Sequence, residues 1–264
     1  VKKIGLLFVI LVLISTSCSS VNTEEVKTKA TEAFINKDYA EFNNQYNILL
    51  KADEKIAVSY LNEIQENDVF IIDNYTSKNE LEKGITELGE IKTNSTFLSS
   101  YVDVKITDFQ SKIDFMTYTE NRDTIFNKIK KNVNDLKSVI WGIYVPASLL
   151  DSLENVDTVI SEFEKNISAT GNSLLDLEEL NTPEVDKSKV SNVIESLKEF
   201  NKSLLEKENY IKENKINLVA YNKAFLEGNI FSVTKSVEHS GEVDKLTNNI
   251  KKSVEQVLLR IERF

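Results

Sequence analysis

Few residues of this chain are able to do chemistry. It holds one cysteine, Cys18, and one histidine, His239. That leaves no His-rich metal site and no evident His–Cys or Ser–His–Asp set. No Gly-rich phosphate loop, nucleophile elbow or paired zinc-ligand motif occurs. Carboxylates are plentiful, with 42 Asp and Glu. A carboxylate-only hydrolase needs two acids about 5–10 Å apart across a cleft, and nothing in the pattern singles out such a pair. Asn67-Asp68 and Asp73-Asn74 lack the alternating ligands, central Gly and closing Glu of a calcium loop and read as a solvated helix face. His239 follows Glu238 just before Ser240-Gly241, where a cation would cap a helix end. Trp141 and Tyr144 flank Gly142 in the apolar knot Ile140–Val145 (IWGIYV). They are either the buried end of a helix or an aromatic contact for a partner. The expectation is a chain that is not an enzyme and holds no metal.

Cys18 is the exception because of where it stands. Lys2 and Lys3 make a basic start, Gly5 to Ile14 is an unbroken apolar run, and Ser15-Thr16-Ser17 are small residues leading into the cysteine. This is the three-part layout of a secretion signal. The run is too short for a membrane-crossing helix, which needs about 20 residues. A lone cysteine directly after such a run resembles the lipobox of bacterial lipoproteins. Ser15 departs from that motif, which usually has an aliphatic residue three before the cysteine. The resemblance covers residues 1–20 only.

The resemblance implies a signal peptide over residues 1–17, removed by a dedicated peptidase, and a lipidated tether over residues 18–25. Cys18 would carry diacylglycerol through a thioether, and the new amino terminus becomes open to acylation with a palmitate-like chain. This covalent lipid is the only cofactor expected. The first partner is then the lipid bilayer, reached through the acyl anchor, because two or three chains hold stably where one does not. The implied location is the extracytoplasmic face of the cell membrane, or the outer membrane in a host that has two.

Stepping from the anchor to the body, charge narrows the partners. The whole chain carries −10 at neutral pH, and the expected removal of Lys2 and Lys3 leaves it more acidic. Such a body is repelled by nucleic acid and by anionic headgroups. The expected partner is an envelope or extracellular protein of unknown identity, with no nucleic acid. No second cysteine exists to form an intrachain disulfide, so packing alone must hold the core.

Seven Gly and two Pro among 264 residues argue for long helices with few turns. Apolar residues recur at steps of three and four along most of the chain. Ser77 to Glu80 forms a capping box, Asp53 suits an N-cap, and Asn94-Ser95-Thr96 makes a break. Thr119 is read as a further cap. Pro146 ends one helix. Thr170-Gly171-Asn172 ends another, and Ser173 to Asp176 restarts a short one. Thr182-Pro183 opens the next, with Thr as N-cap and Pro at the first position. Its seam is read as Val190, Val193, Leu197, Phe200, Leu204 and Ile211. Gly228-Asn229 and Ser240-Gly241 are breaks. The last helix carries Val243, Leu246, Ile250, Val254, Val257, Ile261 and Phe264 at the spacing of a coiled coil. The expected fold is all-α. It is an elongated multi-helix bundle, with helical subdomains at residues 26–145 and 146–264 that are either stacked or one continuous bundle. The expected role is a membrane-anchored cell-envelope lipoprotein with a non-catalytic binding or structural module. The alternative is a helical receptor for a small ligand or a cell-wall glycan.

Overall fold

The computed structural model describes residues 21–66, 75–142, 152–228 and 233–264. The described residues form eight α-helices and one 3-10 turn, with no strand, so the all-α expectation holds. The helices are α1 (Thr23–Ile35), α2 (Tyr39–Ala52), α3 (Glu54–Glu66), α4 (Lys78–Asn94), α5 (Ser99–Gly142), α6 (Leu153–Glu178), α7 (Glu184–Leu226) and α8 (Val233–Glu262). The 3-10 turn Thr96–Leu98 joins α4 to α5. Two compact units divide between Asp114 and Phe115, inside α5.

The first unit is made of short helices fixed by side-chain caps. Asn22, Asp38 and Ser77 each accept a backbone N–H from the first turn that follows. Ser77 and Glu80 complete the reciprocal capping box. Asp53 ends α2 and caps α3 through Lys55 and Ile56. Its core is aromatic: Phe34 meets Tyr39 and Phe42 edge-on, and Tyr46 lies 4.6 Å from Phe97 between ring centres. Asn43 reaches from α2 to the carbonyl of Asn94 and accepts from the buried Ser95 hydroxyl, pinning the break after α4. Gly84 lets α4 approach closely: a Cβ there would lie 2.7 Å from the Tyr75 ring and 2.8 Å from that of Phe109.

The second unit is a four-helix bundle of residues 115–142 of α5 with α6, α7 and α8. One buried cluster joins all four, including Ile129 and Val133, Val156 and Phe163, Val193 and Phe200, and Ile250 and Val257. The seam residues expected on α7 are all buried, as are those on α8 from Val243 to Ile261, while Phe264 is half-buried against the cluster. Gly228, with φ +72°, follows α7 in the left-handed conformation that suits glycine at a helix end.

Three expected interruptions and one expected cap differ from the fold. α5 runs unbroken past Thr119. α6 runs to Glu178 straight through Gly171 and the supposed restart at Ser173. α8 continues through Ser240-Gly241, so His239 lies within a helix and not at its end. α7 begins at Glu184 and not at Pro183, so Thr182 stands one residue too early to be its N-cap, and its hydroxyl donates to the Leu180 carbonyl at 3.1 Å. The physical reason is the same in α6 and α8. One Gly inside a long helix costs about 1 kcal/mol, which burial of the rest of the face readily outweighs.

Candidate functional site

Cys18 and Tyr144 lie outside the described residues, as do Asn67, Asp68, Asp73, Asn74 and Pro146. Trp141 sits in the last turn of α5, and its side chain, like that of His239, is outside what is described. The sites that can be built from geometry are therefore others, and both belong to the four-helix bundle.

The first surrounds Lys207. The α7 seam steps by three and four from Val190 through Val193, Leu197, Phe200 and Leu204, and the next step of three lands on Lys207 before Ile211. A lysine thus occupies a core position and has no solvent exposure. Its Nζ donates to Thr247 Oγ1 of α8 at 2.5 Å and lies 5.9 Å from the centre of the Phe163 ring of α6. The Thr247 hydroxyl in turn donates to its own helix at Val243 O, 2.7 Å away. Burial pushes the amine down to about 7; Asp244 opposes the shift and Lys251 adds to it.

Further polar residues are buried in this unit. Asn166, Thr170 and Ser173 take seam positions on α6, and each satisfies itself on a carbonyl one turn back. Ser203, one turn before Lys207, stands 3.1 Å from Ser253 across the α7–α8 seam. The bundle therefore has a layer of hydroxyl, amide and amine groups inside an otherwise apolar core. This layer explains why Thr170-Gly171-Asn172 reads as a helix end: polar residues in sequence look like solvent contact.

Outside the seam, α7 and α8 form a groove of about 320 Å3 lined by Glu199, Lys202, Ser203, Glu206, Asn249, Lys252 and Ser253. A neighbouring groove of about 350 Å3 extends it to Glu195, Ser196 and Gln256. Among the described residues, no ion pair engages Glu195, Glu199, Lys202, Glu206 or Lys252.

The second site closes one end of the bundle. The Tyr118 hydroxyl donates to Asp186 Oδ2 at 3.2 Å. Burial, then the Asp186 charge and its hydrogen bond, push the phenol up to about 12. Lys189 lies 3.3 Å and Arg122 3.9 Å from the same carboxylate. Both cations also face the Phe264 ring, Arg122 at 4.7 Å and Lys189 at 5.2 Å from its centre. The buried Asp186 is thus surrounded by donors, and the arrangement ties α5, the start of α7 and the end of α8 together. The Tyr118 phenol, held protonated against the Asp186 carboxylate, joins the two cations in clasping this end of the bundle.

Sequence reasoning passed over Lys207 because it followed apolar residues only. The seven-residue gap between Leu204 and Ile211 was the available signal. Phe264 is legible as the last step of the final apolar seam, but its meeting with Arg122 and that of Asp186 with Tyr118 are not, since those partners are far away in sequence.

Among the described residues no helix is long and apolar enough to cross a membrane, and no group of three His, Cys, Asp or Glu is placed to hold a metal ion. No family model, curated protein or solved structure matches the chain.

Proposed function

We propose that this chain is a lipid-anchored module of the bacterial cell envelope, fastened through Cys18 and acting outside the membrane as a non-catalytic binding or structural body. The observation that carries the reading is the placement of the only cysteine between an apolar run and a polar stretch that leads directly into a helical body. Asn22 caps α1 at Thr23, so only a few residues separate the lipid from the folded part. The acidic balance keeps the body off anionic headgroups and leaves its lateral faces for a protein partner. Large apolar side chains that stay exposed include Ile35 on α1 and Val104 on α5 in the first unit, and Val185 and Ile216 on α7 in the second. A partner would therefore be met through scattered apolar anchors within a charged surface. The experiment is fractionation of cells making the wild-type chain or Cys18→Ala. Wild type should partition with membrane and into detergent, and the variant should not. Equal partitioning of the two would end the proposal.

One observation favours a second reading, a receptor for a small polar ligand or glycan. The α7–α8 grooves bring carboxylate, lysine, hydroxyl and amide groups together with no ion pair holding their charges. Titration with soluble cell-wall fragments would support it if Glu199→Ala and Lys252→Ala both weakened binding. Absence of binding at millimolar fragment would remove it.

A further inference from the structure

We propose that Lys207 makes the α7–α8 seam proton-gated: the seam closes on a neutral amine, and taking up a proton loosens the two helices at the level of Thr247. The argument begins with what surrounds the amine. An ammonium has three donors and a full charge to satisfy. Here it finds one hydroxyl, Thr247 Oγ1, and the face of Phe163. No carboxylate is within ion-pair distance of its Nζ among the described residues.

The charges that reach it are few. On α8, Asp244 favours the charged form and Lys251 disfavours it. On α7 the adjacent Glu208 is buried but already paired with Lys212 at 2.7 Å, and Lys212 also holds Glu164 of α6 at 2.7 Å. From α6 the group against the amine is the Phe163 ring, and among the described residues no charged group of α5 pairs with it. A neutral amine fits this setting, and a charged one is stranded in it.

The seam is also built to part here. One turn from Lys207 the Ser203 and Ser253 hydroxyls meet across the seam, a polar contact set in the apolar cluster that holds Leu204, Ile250 and Val254. Each hydroxyl has a carbonyl of its own helix within reach, Glu199 O and Asn249 O, to which it can donate when the other leaves. Just outside lies the polar groove, which Ser203 and Ser253 themselves line.

The direction follows from linkage. In the closed seam the amine holds its proton only below about 7, whereas in an opened seam it holds it up to the ordinary lysine value of 10.5. Opening therefore takes up one proton between those limits. It becomes more favourable as pH falls across the window and levels off below it.

The test follows hydrogen exchange in the full-length chain, wild type and Lys207→Met, from pH 6 to 9, with rates referred to the unstructured peptide at each pH. In wild type, protection of the amides of residues 204–211 and 243–250 should rise about tenfold per pH unit above 7.5 and flatten below 7. Lys207→Met should lose that slope. The same slope in both proteins would overturn the proposal. A second measurement does not depend on the variant's folding. With lysine side chains isotopically labelled in the wild type, one ammonium should titrate near 7, and titration of every lysine near the ordinary value would overturn it.

Discussion

Against α6, helix α7 presents lysines that each find a carboxylate. Lys198 reaches Glu178 at 2.7 Å, Lys212 reaches Glu164 at 2.7 Å, and Lys215 pairs with Asp157. Against α8, the same helix turns a lysine inward to a threonine and leaves Glu199, Lys202 and Glu206 without ion pairs along the groove. Charge at the rim stabilises little, because water already solvates it, but opposite charges in series fix the register of two antiparallel helices. Charge in the seam is another matter, since removing an ammonium from water costs several kcal/mol. One side of α7 therefore carries its charges paired at the rim, and the other encloses an amine in the seam.

The largest effect should come from Phe163→Ala, which deletes the ring shared by the α6 face and the amine. It should lower the stability of the bundle by about 3–5 kcal/mol in urea unfolding. A loss under about 1 kcal/mol would mean that the layer around Lys207 is not packed as described. Next, Lys207→Met should stabilise the bundle at pH 7, by roughly 1–4 kcal/mol. Because the folded-state amine titrates below its ordinary value, wild-type stability rises with pH between about 7 and 10.5, and the variant's advantage should shrink over that window. Thermal melts at pH 7 and 9.5 check the sign.

Ser203→Ala removes one half of the hydroxyl pair while Ser253 keeps its bond to Asn249 O. Its cost should be about 0.5–1.5 kcal/mol, read from the urea midpoint. The smallest effect belongs to the other seam: Lys198→Ala should cost less than about 1 kcal/mol, and the difference from wild type should vanish in 1 M salt. A salt-resistant loss there would erase the contrast between the two sides of α7.

How much of this was legible in sequence depends on which force decides each feature. Helix content was readable because apolar residues repeat at three and four and few Gly or Pro interrupt them. Local caps were readable too: Ser77 with Glu80, and Asp53, act within one turn and need no tertiary context. The interior of α6 was not. Asn166, Thr170 and Ser173 sit in the core and bond their own helix, so polarity there marks a buried layer and not a turn. Gly171 and Gly241 fall on helices long enough to absorb them. The division between Asp114 and Phe115 falls within a continuous helix, where composition gives no sign of it. The Asp186 clasp joins residues from three distant stretches, which only folding brings together.

The anchor, on which the proposed role rests, is a covalent question with a direct answer. Mass spectrometry of the amino-terminal peptide of the protein recovered from its native envelope should find a chain that begins at Cys18, with the mass of diacylglycerol on its sulfur. A peptide in which Cys18 is a free thiol still joined to Ser17 would contradict the account.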